Sequence, residues 1–255
     1  MQGRGVIRPH HRLSHGKTGV TGPVRQRSLC RMSALLEEAN KSPRLSLYVE
    51  HWQHLLAEER QRRQRFYDET TPEQKAEFIN GEVVMQSPAR FEHTNVSENL
   101  VVLLNTYVES CQLGWVGHEK VLVCLTRNDY EPDLCFFSQE KAAQIRPGQT
   151  TYPAPDFIVE ILSPATAERD RGVKLDDYAA HGVREYWLVD PDREIVEQYE
   201  LAGDTYSLRA KQADGTLHSL AVPGFEIPVR AVFDRVENLA ALRRLAADTP
   251  ARQGD

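Results

Sequence analysis

Two acidic residues stand out because of where they fall. Glu160 interrupts the apolar run "PDFIVEILSP", and Asp133 interrupts "EPDLCFF" in the same way. Side chains alternate along a strand, so Ile158, Glu160 and Leu162 share one face and Asp133, Cys135 and Phe137 share another. An ionised carboxylate among apolar neighbours is costly unless it is paired or bound to a metal. Two of them on adjacent strands would repel each other unless a cation sits between them. Hard oxygen ligands of this kind suit Mg²⁺ or Mn²⁺. A helix predicted over 167–181 follows the Glu160 strand and carries Asp170, Lys174 and Tyr178 at i, i+4 and i+8, along one face. Lys174 is thereby able to bring an ammonium beside the carboxylates. Two carboxylates, a divalent ion and a lysine form a set able to cleave phosphodiesters: the metal activates water and polarises the phosphate, and the lysine supports the attacking water or the developing charge. A buried carboxylate simply paired with Lys or Arg is the plainer alternative. Ser163, ahead of Pro164, reads as a turn or helix-cap residue rather than a nucleophile.

The elements that must position these residues follow from pattern. Residues 49–66 read as a helix with Trp52, Leu55, Leu56 and Phe66 turned inward. Its tail bears Arg60, Arg62, Arg63 and Arg65, either a solvated face or a phosphate-contacting patch. His51 and His54 lack the carboxylates that would complete a metal site and read as surface. Asn80-Gly81, between two β-rich runs, signals a type I′ hairpin. A long helix is predicted over 91–112, then strands over 115–125, 131–137, 156–162, 184–190 and 194–201, more β structure to about 233, and a last helix over 235–247. Gly182 stands where a C′ glycine belongs. Strands 131–137 and 156–162 are nearly all apolar, which places them at the centre of a sheet, covered on both faces. The order is that of an α/β protein with a mixed sheet flanked by helices.

Composition narrows the function classes. The chain has 255 residues, 40% of them hydrophobic and 27% charged. That is enough for one sizeable core. No run of residues is long and apolar enough for a membrane span. Positions 1–31 hold seven Lys or Arg and no Asp or Glu. They have none of the apolar core of a secretory signal. Residues 1–43 are expected to be a disordered basic leader, with Met32 an alternative start, and 249–255 a disordered tail around a domain spanning 44–248. A basic arm for nucleic acid is the sharper reading of the leader. Without those seven basic side chains the protein carries 24 basic and 37 acidic residues, a net charge of −13. Binding to nucleic acid then requires a local basic patch. The four cysteines show no CxxC pair or zinc spacing and read as reduced thiols of a cytoplasmic protein.

The segments "EFINGEVVMQSP", "EPDLCFF", "PDFIVEILSP", "DRGVKLDDYAAHGVREYWLVDP" and "EIVEQYEL" resemble the Uma-two family of bacterial proteins, within the restriction-endonuclease-like PD-(D/E)XK nuclease superfamily. The resemblance covers about residues 50–235 and is most specific over 155–192. It implies an αβββαβ core and a metal-dependent endonuclease site. Pro132-Asp133 then supplies the PD, Glu160 the acidic member of (D/E)XK, and the backbone carbonyl of Ile161 a further metal ligand. The lysine of E-x-K is replaced by Leu162, and Lys174 on the next helix stands where this family carries one. Glu82 after the hairpin turn and His93 at the start of the following helix match family positions and are candidates to contact metal or phosphate. Tyr178 and Asp156 are lesser candidates. The expected function is a Mg²⁺- or Mn²⁺-dependent DNA endonuclease, cytoplasmic and free of any membrane, with Arg60 to Arg65, Arg169 and Arg171 positioning phosphates. Enzymes that cut both strands often work as pairs of sites, so a homodimer is one arrangement open to it. The rivals are a catalytically inactive nucleic-acid-binding or assembly module on the same fold, and a hydrolase of small phosphate esters.

Overall fold

The computed structural model describes residues 36–71 and 74–248. Of the leader expected over 1–43, positions 1–35 with Met32 lie outside the described residues, as does the 249–255 tail, while positions 36–41 are helical rather than disordered. The chain divides into two compact units, residues 1–57 and 58–255. In the first, none of the described residues is buried. Helix α1 spans Leu45–Glu69, and of the four residues expected to face inward only Phe66 does so. Trp52, Leu55 and Leu56 are exposed. Their spacing marks an apolar stripe correctly, but no core among the described residues of that unit covers it.

In the second unit the hairpin forms as expected. Strands β1 (Ala76–Ile79) and β2 (Glu82–Met85) pair antiparallel. Asn80 and Gly81 take φ of 52° and 87°. A type I′ turn requires positive φ at both of these positions. Helix α2 (Phe91–Ser110) follows, then β3 (Gly114–His118) and β4 (Leu122–Cys124). The single strand expected over 115–125 is thus two, because Glu119 and Lys120 adopt left-handed φ of 44° and 48°. That backbone, unusual outside glycine, turns the chain into a different sheet. Next come β5 (Asp129–Tyr130), β6 (Leu134–Ser138), the short helix α3 (Gln139–Ala142), β7 (Thr151–Tyr152) and β8 (Phe157–Ile161). The helix expected over 167–181 is broken at Gly172 (φ −116°, ψ −102°) into α4 (Ala167–Arg171) and α5 (Val173–Ala180). Gly182 after it has φ of 76°. This is the left-handed backbone of a glycine helix cap. The chain closes with β9 (Glu185–Asp190), β10 (Ile195–Ala202), β11 (Thr205–Gln212), β12 (Thr216–His218), β13 (Glu226–Pro228), α6 (Arg230–Phe233) and α7 (Arg235–Asp248).

A six-stranded mixed sheet in the order β11-β10-β9-β8-β6-β3 forms the centre, with β8 and β9 parallel and the other neighbours antiparallel. Strands β6 and β8 are interior, as their apolar sequences predict. Alternation sorts their side chains. Leu134, Phe136, Phe157, Val159, Ile161, Trp187 and Val189 join one apolar cluster with α2, α6 and α7 residues such as Leu103, Val232 and Ala241. Cys135, Phe137, Ile158, Tyr186 and Leu188 join another with Leu175, Tyr178 and Ala179 of α5 and Val123 and Tyr130 of the second sheet. Each fully buried large side chain contributes roughly 1.5–3 kcal/mol. The second sheet runs β2-β1-β5-β4-β7, and β12 pairs with β13 in a third. No helix among the described residues is long and apolar enough to cross a membrane.

A candidate active site of buried carboxylates

Strands β6 and β8 pair antiparallel with Leu134 opposite Val159 and Cys135 opposite Ile158. The strand expected over 131–137 begins only at Leu134, so Asp133 lies just ahead of β6, and that register carried one residue further would set it opposite Glu160, on the side of Cys135, Phe137 and Ile158. Both carboxylates are buried. Asp133 Oδ2 accepts the Ile161 N–H at 2.8 Å, fastening the end of one strand to the next. Its Oδ1 meets Lys75 Nζ at 2.9 Å and His93 Nε2 at 3.2 Å.

Glu160 lies deeper. Its Oε1 accepts from Lys174 Nζ at 2.9 Å and from the Tyr178 hydroxyl at 3.0 Å. The break at Gly172 leaves Asp170 and Lys174 close enough for a 3.3 Å ion pair, and Lys174 also reaches Glu77 Oε1 at 2.8 Å. One ammonium therefore faces three carboxylates, with its side chain 2% exposed. It also stands 5.7 Å from the centre of the Tyr130 ring.

The expected site residues divide accordingly. Asp133, Glu160, Lys174, Tyr178 and His93 come together, with the Ile161 backbone beside them. Glu82 does not: it is exposed on β2. The buried carboxylate that the hairpin supplies is Glu77 on β1, whose Oε1 also accepts the Glu131 N–H at 3.1 Å. Asp156 binds the Ser138 N–H at 2.8 Å and Lys141 at 2.9 Å, a strand-end tie rather than a site residue. Part of the expected phosphate-binding patch is committed internally. Arg62 donates to Gly81 O at 2.9 Å, Arg63 binds Asp129 and Leu125 O, and Arg171 binds Glu197. Sequence reasoning passed over Glu77 and Lys75. Glu77 carries the same signature as Glu160, a lone carboxylate in an apolar strand.

The electrostatics of the two opposed carboxylates diverge. Burial alone would raise Asp133, but the hydrogen bond from His93, the Lys75 charge and the Ile161 N–H hold it well below the usual carboxylate range. Burial pushes Glu160 well above that range despite Lys174, and the neighbouring Asp170, Asp133 and Glu77 add to the push. Burial likewise raises Asp170, whose Oδ1 has no hydrogen-bond partner among the described residues. Burial works against the Lys174 ammonium too, but Glu160, Glu77 and Asp170 outweigh it and lift its pKa well above the ordinary lysine value.

Four buried carboxylates, Glu77, Asp133, Glu160 and Asp170, thus share two ammonium groups, Lys75 and Lys174. The carboxylates outnumber the ammonium groups and are hard oxygen donors, so the residues fit Mg²⁺ or Mn²⁺ chemically. Among the described residues no three His, Cys, Asp or Glu side chains are already gathered into a metal-binding group. The lysines take up the carboxylate oxygens instead.

Comparison with known proteins shows the family and the fold. Residues 59–230 match the sequence profile of the Uma2 family, described as "Putative restriction endonuclease". Two proteins of Synechocystis sp. are similar over part of their length. "Uncharacterized protein sll1609" is 27% identical over 133 residues, covering 51% of this chain and 75% of the relative. "Uncharacterized protein slr1290" is 27% identical over 137 residues, covering 51% and 68%. A solved structure from Anabaena variabilis ATCC 29413, described as "a putative nuclease belonging to DUF820", superposes with a TM-score of 0.57 at 18% identity, covering 69% of this chain and 96% of that one. At that identity the likeness is one of fold.

Proposed function

The chain belongs to the Uma2 family and shares the restriction-endonuclease-like fold, and from that premise we propose that it is a metal-dependent endonuclease hydrolysing phosphodiester bonds in DNA. The observation that carries the reading is the meeting of two buried carboxylates at the end of β8: Asp133, just ahead of β6, accepts the N–H of Ile161, the residue after Glu160. Asp133, Glu160 and the carbonyl of Ile161 would hold Mg²⁺ or Mn²⁺, which when bound supplies an activated water and polarises the phosphate. Asp133 is kept ionised by its basic neighbours and ready to serve as a ligand. Lys174 and Tyr178 fix Glu160 by two hydrogen bonds to one oxygen, leaving its second oxygen for the cation. Lys174 sets a permanent positive charge behind the carboxylates, offsetting the charge that accumulates as a phosphate arrives. The enzyme is read as cytoplasmic, working on duplex DNA as a homodimer so that paired sites cut both strands.

A plasmid nicking assay with Mg²⁺ or Mn²⁺ tests this, comparing wild type with Asp133→Asn, Glu160→Ala and Lys174→Ala. Metal-dependent nicking by wild type and its loss in the carboxylate variants is the expected result. DNA binding indifferent to divalent metal, with no scission under any metal, would instead establish the inactive binding module. The enclosure of Lys174 by three carboxylates is the observation that favours that second reading.

A further inference from the structure

The two lysines of the site differ in what they can reach. A lysine ammonium has three N–H donors. Lys174 turns toward three carboxylates and is 2% exposed, so its ammonium is directed inside the protein. Lys75 stands just ahead of β1, where the Gln86 N–H donates to its backbone carbonyl at 2.9 Å and anchors it to the hairpin. Asp133 is the one acceptor its ammonium has among the described residues, and its side chain is 22% exposed. His93, 16% exposed, approaches the same Asp133 oxygen. No ammonium comes from β8 itself, because Leu162 fills the position two residues after Glu160 and packs in the apolar cluster. Of the two lysines, Lys75 is therefore the one that a group arriving from solvent at Asp133 can meet.

Burial works against the Lys75 charge, but the Asp133 carboxylate and the hydrogen bond to it prevail and hold its pKa above the usual lysine value. The pair is only partly open to solvent, with Lys75 22% and Asp133 6% exposed. It places a positive charge on the solvent side of a carboxylate that a phosphate would otherwise avoid.

We infer that Lys75 is the lysine that touches the substrate: while one N–H stays on Asp133, the others receive a phosphate oxygen of the DNA strand entering the site, and Lys174 acts only from behind. The inference rests on the reading of this cluster as a phosphodiester site, and names the residue that contacts the phosphate there.

Anisotropy of a labelled DNA duplex, titrated in Ca²⁺ over a range of salt, tests it with wild type, Lys75→Gln, Lys75→Arg and Lys174→Met, each first checked by thermal melting. Lys75→Gln should weaken binding about tenfold and reduce the slope of log K against log salt by about one. Lys75→Arg should keep most of both, and Lys174→Met should keep the slope. If Lys174→Met does not fold, the contrast between Gln and Arg at position 75 decides alone. Wild-type affinity and slope in Lys75→Gln would overturn the inference, as would an equal loss of slope in Lys75→Gln and Lys174→Met. The two readings fail separately. DNA held through Lys75 but never cut under any metal would end the nuclease reading and leave this contact standing. Cutting by Lys75→Gln at the wild-type rate would do the reverse. A wild type that binds no DNA would overturn both.

Discussion

The Lys174 ammonium lies 2.9 Å from Glu160 Oε1, joining α5 to the middle of the central sheet across fourteen residues of chain. Both groups are buried, so the pair trades large desolvation costs for a close contact. Removing only the cation leaves Glu77, Glu160 and Asp170 facing one another. Lys174→Met should therefore lower stability by roughly 3–5 kcal/mol at neutral pH in urea unfolding. Adding Glu77→Gln and Glu160→Gln should recover more than about 1 kcal/mol of it. A loss below about 1 kcal/mol in the single variant would mean the cluster tolerates an uncompensated charge, contrary to this account.

The carboxylates should separate cleanly in metal binding. Asp133→Ala is expected to weaken Mn²⁺ binding at least about tenfold by calorimetry, since it deletes one of the opposed ligands. Glu82→Gln, on the exposed hairpin strand, should leave it unchanged. Unaltered affinity in Asp133→Ala would remove that residue from the site.

Away from the site, Glu197 governs part of the acid stability. Burial opposes its ionisation, but hydrogen bonds from Arg171, Lys211 and Tyr199 and the Arg171 charge bring its pKa from 4.5 down to about 2. A depressed folded-state pKa gives stability that is fully present above 4.5 and is lost as pH falls toward about 2. Because Arg171 and Lys211 are partly exposed, the contribution is about 2 kcal/mol after screening. Glu197→Gln should cost that much at pH 7, and the gap to wild type should shrink between pH 4.5 and 2. A gap that stays constant with pH would assign the cost to packing alone.

Two glycines with left-handed backbone make a matched pair. At Gly114 φ is +150° and an added Cβ would stand 1.9 Å from the Phe137 carbonyl oxygen, at the pairing of β3 with β6. At Gly182 φ is +76° and nothing lies within 4 Å. Gly182→Ala should cost about 1 kcal/mol from backbone strain alone, and Gly114→Ala clearly more, because the strands must separate. Equal melting temperatures for the two variants would contradict the difference in space.

Asp133 and Glu160 were legible because a lone carboxylate in an apolar strand violates the pattern, and Asp170, Lys174 and Tyr178 because helical spacing aligned them. Their meeting depended on the antiparallel register of β6 with β8, which no local pattern encodes. Glu77 carried the same violation, yet the Asn80-Gly81 turn drew attention to Glu82 beyond it. Lys75 sits in a polar stretch with no period to mark it. The division of β3 from β4 was hidden for another reason: Glu119 and Lys120 adopt left-handed backbone without the glycine that announces it. In α1, the periodicity of Trp52, Leu55 and Leu56 marks a face without saying what covers it.

The 2.8 Å bond from the Ile161 N–H to Asp133 Oδ2 makes a side chain serve as a rung of the sheet. Weave and chemistry are spliced at that atom. A substitution that retunes this carboxylate must also re-knit the junction of two strands, so its charge and the sheet's edge change together.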